Sequence, residues 1–296
     1  MQKHTPVLLK ETIEALNLKP DSVVIDCTLG GGGHGKAILE RLGKGGVYVG
    51  LDADKTAIDS ASGLQKAEAT VHLINSNFVH IANIVKKLRL CPAAILADLG
   101  WRSDQFEKGG KGFSFSSDEP LLMTYGNAAN YPFTAADIVN DWEESSIADV
   151  IFGYGEERRA KKIAKAIVEA RTKRKIETAK ELASIIEKIF SKGKSKIHPA
   201  TKTFQALRIA VNNELESLKK LLEDGFTLLV PGGRMAIISF HSLEDRVVKT
   251  FFKNLTTEHF AERITKKPII AGKEELKNNP RARSAKLRVI EKTKTE

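Results

Sequence analysis

Four consecutive glycines, Gly30 to Gly33, follow a short apolar run that ends in an acid, Asp26. Glycine backbone in such a turn lets a ligand approach closely. Where the turn opens a helix, the helix N-terminus faces that ligand. A helical pattern begins near His34 and carries Ala37, Ile38 and Leu42 on one face. Two kinds of nucleoside-bearing cofactor fit this arrangement. Gly30, Gly32 and Gly35 satisfy GxGxxG, the dinucleotide fingerprint, although any run of glycines meets it easily. Charge discriminates better. A carboxylate at Asp26 would oppose a pyrophosphate, but suits the ammonium and sulfonium of S-adenosylmethionine. A second acid, Asp52, ends the next apolar run, where a carboxylate accepts hydrogen bonds from ribose hydroxyls. Both cofactors carry that ribose, so Asp52 supports a nucleoside without choosing between them.

The elements that must position these residues are readable from periodicity. Val23, Val24 and Ile25 form a run too short for a globular helix and rich in β-branching, which predicts a buried strand. Strands are predicted near 22–27, 46–52, 69–74 and 93–99, with helices near 34–42, 54–65 and 79–88 between them. A short amphipathic helix is predicted within 5–16. Regular alternation implies an α/β fold, a Rossmann-like parallel sheet with right-handed crossovers. Ligands bind such sheets outside the carboxyl ends of the strands, which puts Asp26, Asp52, Asn77, Phe78 and Asp98 along one rim. The rhythm stops after Asp98-Leu-Gly100. A stretch rich in Gly, Ser, Asp and Asn covers 101–132, and helices are predicted near 135–152, 156–173 and 177–191. The sheet pattern resumes at Gly232-Gly-Arg-Met-Ala-Ile-Ile. The expected organisation is a discontinuous core, 1–100 and 204–296, interrupted by an all-helical domain at 101–203.

Charge locates a second function. The chain has 296 residues and a formal net charge of +10, which points to an anionic partner, nucleic acid first. Between Glu156 and Lys202 fifteen Lys or Arg face six Glu, so the excess is concentrated in the inserted region. Arg158, Arg159, Lys192, Lys194 and Lys196 are the candidate RNA contacts there, joined near the C-terminus by Arg281 and Arg283. Such contacts position a nucleic acid without reading its sequence. Two cysteines, Cys27 and Cys91, make no disulfide framework, and no Cys/His cluster suggests a metal site. No basic-then-apolar leader is evident and no apolar run reaches about 18 residues, so a cytoplasmic protein without a membrane span is expected. Oligomeric state is not legible, and a homodimer stays open.

Eight stretches, taken together, resemble one family. They are His4-Thr-Pro-Val-Leu-Leu, Asp26-Cys-Thr-Leu-Gly-Gly-Gly-Gly-His34, Asp98-Leu-Gly100, Lys111-Gly-Phe-Ser-Phe115, Tyr154-Gly-Glu-Glu-Arg158, Phe204-Gln-Ala-Leu-Arg-Ile209 with Val211-Asn-Asn-Glu-Leu215, Ser239-Phe-His-Ser-Leu-Glu-Asp-Arg246, and Asn279-Pro-Arg-Ala-Arg-Ser-Ala-Lys-Leu-Arg288. The sequence is similar to the bacterial small-subunit ribosomal RNA cytosine methyltransferases known as RsmH or MraW. The resemblance implies a class I methyltransferase sheet with a helical insert and S-adenosylmethionine as donor. It also implies methylation of the exocyclic amine of a cytosine in 16S rRNA of the small ribosomal subunit. Carried over to this chain, the family's cofactor contacts fall on Gly32, Gly33, His34, Asp52, Phe78, Asp98 and Gln105. Asp26 and Gly30 join them from the loop chemistry above. Asp98 and His241 are the expected catalytic residues, Asp98 at the junction of donor and base.

Three places depart from the family pattern. Asp98-Leu-Gly-Trp-Arg-Ser103 stands where the family has Asp-Leu-Gly-Val-Ser-Ser. Leu121-Leu-Met-Thr-Tyr-Gly126 stands where it has Leu-Asp-Met-Arg-Met-Asp. Lys111 replaces an arginine, keeping the charge but losing the bidentate fork. The alternative to the enzyme is therefore a catalytically altered paralogue that acts as an RNA-binding or ribosome assembly factor. A nicotinamide-dependent oxidoreductase is a third reading, against which Asp26 speaks.

Overall fold

The computed structural model describes residues 5–100, 110–190 and 198–293. Gln105, Lys192, Lys194 and Lys196 lie outside the described residues. The chain forms two compact units, one built from Met1–Gly100 with Leu215–Glu296, the other from Trp101–Glu214.

The first unit holds a seven-stranded sheet. Its strands are β1 (Val23–Asp26), β2 (Val47–Asp52), β3 (Thr70–Asn75), β4 (Ala94–Asp98), β5 (Arg234–Ser239), β6 (Ala261–Arg263) and β7 (Lys286–Lys292), in the spatial order β3-β2-β1-β4-β5-β7-β6. The first five pair in parallel, as alternation with helices requires. β7 pairs antiparallel with both β5 and β6, so the sheet is mixed rather than all parallel. Between β6 and β7 the chain returns through a short helix, Lys273–Asn278, and a 3-10 turn, Pro280–Ser284, instead of a full crossover helix. The reversed strand order at β1 and β4 makes the crevice where ligands bind in open α/β sheets.

Strand alternation divides the core in two. Val24, Leu96, Ala236, Ile238 and Leu287 face one layer, while Ile25, Ile95, Ala97, Met235 and Ile237 face the other. The first layer is covered by α1 (Leu9–Leu16) and α2 (Gly33–Leu39). The second is covered by α4 (Ile81–Leu88), α10 (Glu214–Leu228) and α11 (Ser242–Thr257), with α3 (Lys55–Ser60) following β2. Two basic side chains stitch strands to helices. Arg234 donates to Glu291 and to the Ala15 carbonyl at the end of α1, each at 2.7 Å. Lys292 donates to the carbonyls of Phe226, Thr227 and Leu229 at 3.2, 3.0 and 2.8 Å, closing the C-terminus of α10 where carbonyls lack helical partners.

The second unit is helical. It comprises α5 (Ala135–Asp141), α6 (Glu144–Gly155), α7 (Ala160–Arg171), α8 (Ala179–Glu187) and α9 (Thr201–Asn212) around one apolar cluster. The single helix predicted over 135–152 is two helices, because Trp142 and Glu143 adopt extended backbone at the junction. Phe204, Leu207 and Val211 of α9 are buried in this cluster, so the unit extends to Glu214 and the return to the sheet unit falls eleven residues beyond the expected 203. Among the described residues, no helix is long and apolar enough to cross a membrane.

Candidate active site

The carboxyl ends of β1, β2 and β4 bring three acids to one rim, and each is held by a specific donor. Gly30 N donates to Asp52 Oδ2 at 2.9 Å, and Asp54 N to Asp52 Oδ1 at 2.8 Å, so the acid that ends β2 braces the glycine loop after β1. Asp98, at the end of β4, receives Gly100 N on Oδ1 at 2.9 Å, and its own N–H donates to Thr28 Oγ1 at 2.6 Å. His34 Nδ1 stands 3.7 Å from Asp98 Oδ2. The glycine loop is thereby tied to both neighbouring strand ends before any ligand arrives.

Asp26 differs from the expectation. It is 1 % exposed. Its carboxylate accepts Thr28 N at 3.1 Å and the Tyr48 hydroxyl at 2.8 Å. Burial raises its pKa to about 6, against the opposing pull of His34 and the two hydrogen bonds. Asp26 is therefore a charge beneath the loop, where it orients backbone, and not a carboxylate presented to a ligand. The pleat dictates this placement. Asp26 pairs with Gly50, two residues beyond Tyr48 on the neighbouring strand, so acid and phenol share a face.

The loop itself depends on two glycines. Gly32 has φ +74°, the left-handed region that L side chains avoid. A Cβ on Gly33 would lie 2.1 Å from Pro6 Cγ, so the N-terminal segment packs directly on the loop. His34 is 7 % exposed and its Nε2 lies 3.1 Å from the Val7 carbonyl oxygen. Burial lowers its pKa, against the raising influence of Asp26 and of the Val7 carbonyl. Its side chain is engaged by the protein, and a ligand is left its backbone. Residues 5–8 are fixed in turn from the far end of the chain. Glu275 Oε1 accepts Leu8 N at 2.8 Å and Asn279 Nδ2 donates to the Thr5 carbonyl at 3.2 Å. Phe78 is half-buried against the second core layer, opening a 3-10 turn that Asn77 caps.

His241 is the N-cap of α11. Its Nδ1 accepts Glu244 N at 3.4 Å, and Glu244 Oε2 accepts the backbone N–H of Phe240 at 2.8 Å and of His241 at 3.3 Å, a reciprocal capping box. His241, expected from the sequence to be catalytic, is thus placed as a helix cap. Asp245 next to it binds Arg288 at 2.7 Å and Lys286 at 3.0 Å; burial pushes its carboxyl up, but these hydrogen bonds and charges outweigh burial and hold it below the usual range. Arg281 and Arg283 are exposed on the 3-10 turn.

In the helical unit, Arg158 and Arg159 are both exposed, with Arg159 lying 4.6 Å over the Phe190 ring. The departing stretch 121–126 is knitted into this unit. Leu121, Met123 and Thr124 are 0 % exposed. Asn212 receives Tyr125 N at 3.0 Å and donates to the Met123 carbonyl at 2.7 Å, while Lys111 Nζ donates to the carbonyls of Tyr125 and Gly126. Arg208 grips Glu214 with two bonds of 2.9 Å. Leu122, Thr124 and Gly126, where the family pattern has charges, thus sit in a packed segment whose hydroxyl is satisfied locally by the Gly126 carbonyl at 3.2 Å.

Asp52 and Asp98 at the rim, with Asp26 beneath the loop, make the site electronegative. That charge suits a sulfonium and opposes a pyrophosphate, while the left-handed turn at Gly32 leaves backbone free of Cβ atoms on the loop. The sheet order with its antiparallel β7, and this loop after β1, define a class I methyltransferase dependent on S-adenosylmethionine. The chain belongs to the MraW methylase family, whose model matches residues 1–293. It is 43% identical over 309 residues to the ribosomal RNA small subunit methyltransferase H of Clostridioides difficile (strain 630), covering 98% of each chain. The protein of that name from Symbiobacterium thermophilum is 45% identical over 308 residues, covering 98% of this chain and 96% of its own.

Tyr48, Thr28, Glu275 and Asn279 were not singled out from sequence. Only Tyr48 carried a local signal, a polar group two residues from a glycine on the strand beside Asp26.

Proposed function

We propose that the protein transfers a methyl group from S-adenosylmethionine to 16S rRNA, at the exocyclic amine of a cytosine, within the small ribosomal subunit. The observation that carries this reading is a glycine loop with Asp52 and Asp98 at the strand ends beside it and Asp26 buried beneath it, in a chain 43–45% identical to named small-subunit rRNA methyltransferases. Gly30, Gly32 and Gly33 with the His34 backbone would hold the donor, Asp52 its ribose and Phe78 its adenine. The donor supplies an electrophilic methyl group on a sulfonium. Gln105 is assigned to donor binding on the family resemblance alone.

A cytosine amine is a weak nucleophile because its lone pair is delocalised into the ring. The work left to the protein is to hold the amine in line and to accept its hydrogens as the nitrogen becomes tetrahedral. Asp98 is the acid assigned to that work, because it ends β4 beside the loop and is oriented by Gly100 N and Thr28. The base must be reached unpaired or flipped out. Arg158, Arg159, Lys192, Lys194, Lys196, Arg281 and Arg283 are assigned to RNA phosphates, and the compartment of the reaction is the cytoplasm that holds its substrate.

The test is methyl incorporation from labelled donor into small-subunit particles from cells lacking the protein, followed by mapping of the modified base. Incorporation that disappears with Asp98→Ala is the expected result; retained turnover removes Asp98 from the mechanism. One observation favours a second reading as an assembly factor, namely the uncharged stretch Leu121–Gly126. Particle binding with tight donor affinity and no incorporation would select it.

A further inference from the structure

The helical unit carries a cleft of about 460 Å³ that the chemistry above does not use. It runs along α8 and the link that precedes it. Its walls include Lys175 on the link, Lys180 on the helix and Lys188 at the helix's C-cap. All three are exposed. Among the described residues, no carboxylate lies within ion-pair distance of any of them. The two acids of the cleft do not cancel this charge. Glu181 is bonded to Arg174, and Asp118 is a single carboxylate against three lysines. Lys180 and Ser184 on α8 and Lys188, its C-cap with helical backbone, recur every four residues and so share one face, the lysines about 12 Å apart along the axis. Ser184 is small and turns its hydroxyl to the Lys180 carbonyl at 2.8 Å.

A small anion requires donors that converge on a point. Lys180 and Lys188 are instead spread along the helix direction, with Lys175 on the same cleft, as an extended polyanion requires. We infer that this cleft is a groove for the phosphate backbone of RNA, with Lys175, Lys180 and Lys188 each meeting phosphate oxygens. The inference rests on the rRNA reading above and adds a contact surface to it. Lysines used this way act as point charges, so the groove contributes affinity and register and reads no bases.

The test compares the full chain with Lys175→Ala/Lys180→Ala/Lys188→Ala, using in vitro transcribed 16S rRNA and purified small-subunit particles across a salt series. The variant is expected to bind the rRNA about tenfold or more weakly at 0.1 M salt. The slope of log affinity against log salt should shrink by about 2, since each phosphate contact contributes roughly 0.7 to 0.9. Donor affinity by calorimetry and the melting temperature should be unchanged, because all three side chains are exposed. Unchanged affinity and slope, with wild type binding normally, overturn the groove alone. Failure of the wild type to bind rRNA overturns the rRNA reading and the groove together. A variant that binds naked rRNA normally but loses particles assigns the cleft to an acidic protein surface and also overturns it.

Discussion

The Tyr48 hydroxyl donates to Asp26 Oδ2 at 2.8 Å, and the hydroxyl oxygen of Tyr48 lies 2.4 Å from where a Cβ on Gly35 would stand. One phenol thus orients the acid that ends β1 and sets how closely the first turn of α2 approaches β2. Tyr48→Phe removes the hydroxyl and keeps the ring. A buried hydrogen bond to a charged acceptor contributes about 1.5–3 kcal/mol, so urea denaturation at pH 7.5 should show a loss in that range. The hydroxyl also favours the ionised acid, so its removal should weaken binding of the cationic donor in calorimetry.

Asp26 makes stability depend on pH in a direction opposite to most acids. Its folded pKa of about 6 lies above the ordinary value of 3.8, so the folded chain holds the proton longer than the unfolded one. This contribution is fully present below about pH 4 and is lost as the pH rises through 6. The difference is on the order of 3 kcal/mol. Asp26→Asn should therefore flatten that part of the profile. Denaturation midpoints of both proteins at pH 4.5 and 7.5 test it, since all other groups cancel in the double difference. Equal pH dependence of the two proteins would refute the assignment. Donor affinity should run the other way, tightening in the wild type as Asp26 ionises between pH 5 and 7, and much less in the variant.

The strand–helix alternation through β4 was legible because parallel strands buried on both faces announce themselves as β-branched runs, as Val23-Val-Ile25 does. The rim acids were legible for the same reason, since they end those runs. What Asp26 does was not. Whether a strand-end acid points at a ligand or under the loop depends on the neighbour across the sheet, and Tyr48 is 22 residues away. The clasp of Asn279 on Thr5 spans 274 residues and leaves no local pattern at all. β6 escaped because three residues, Ala261–Arg263, cannot show a period. The break at Trp142 was hidden because apolar positions continue across it.

Gly33 tests the packing of the N-terminal segment on the loop. Gly33→Ala places a methyl group 2.1 Å from Pro6 Cγ, in a site with no slack, so Pro6 and the segment behind it must lift. Residues 5–8 are otherwise held by Glu275 and Asn279. The expected result is a fall in donor affinity of tenfold or more with only a modest change in melting temperature, because the sheet is untouched. Faster amide exchange at Leu8, whose N–H is bonded to Glu275, would report the lifted segment directly.

Lys292 tests the junction of β7 with α10. Three carbonyls converge on its ammonium group, and the Phe226 ring lies 5.3 Å from it. Lys292→Met keeps most of the stem and leaves those carbonyls to water or to nothing. A destabilisation of about 1–2 kcal/mol is expected, with kcat and KM for methyl transfer unchanged, since the site lies at the opposite end of β7 from the strand ends that carry the rim acids.

His241 separates a capping role from a chemical one. Asparagine is among the best N-cap residues and can accept the Glu244 N–H as the imidazole does, but it has no titratable proton. If capping is the whole of the role, His241→Asn should keep stability and methyl transfer within about threefold of wild type. His241→Ala should then cost about 1 kcal/mol, the ordinary price of a lost cap, with a matching fall in melting temperature. A proton-transfer role predicts the reverse ranking in the assay: Asn would be as inactive as Ala, with rates down by a factor on the order of 100 or more, at unchanged stability. The capping box with Glu244 makes the first pattern the expected one, and the two outcomes are far enough apart for a single-turnover measurement to distinguish.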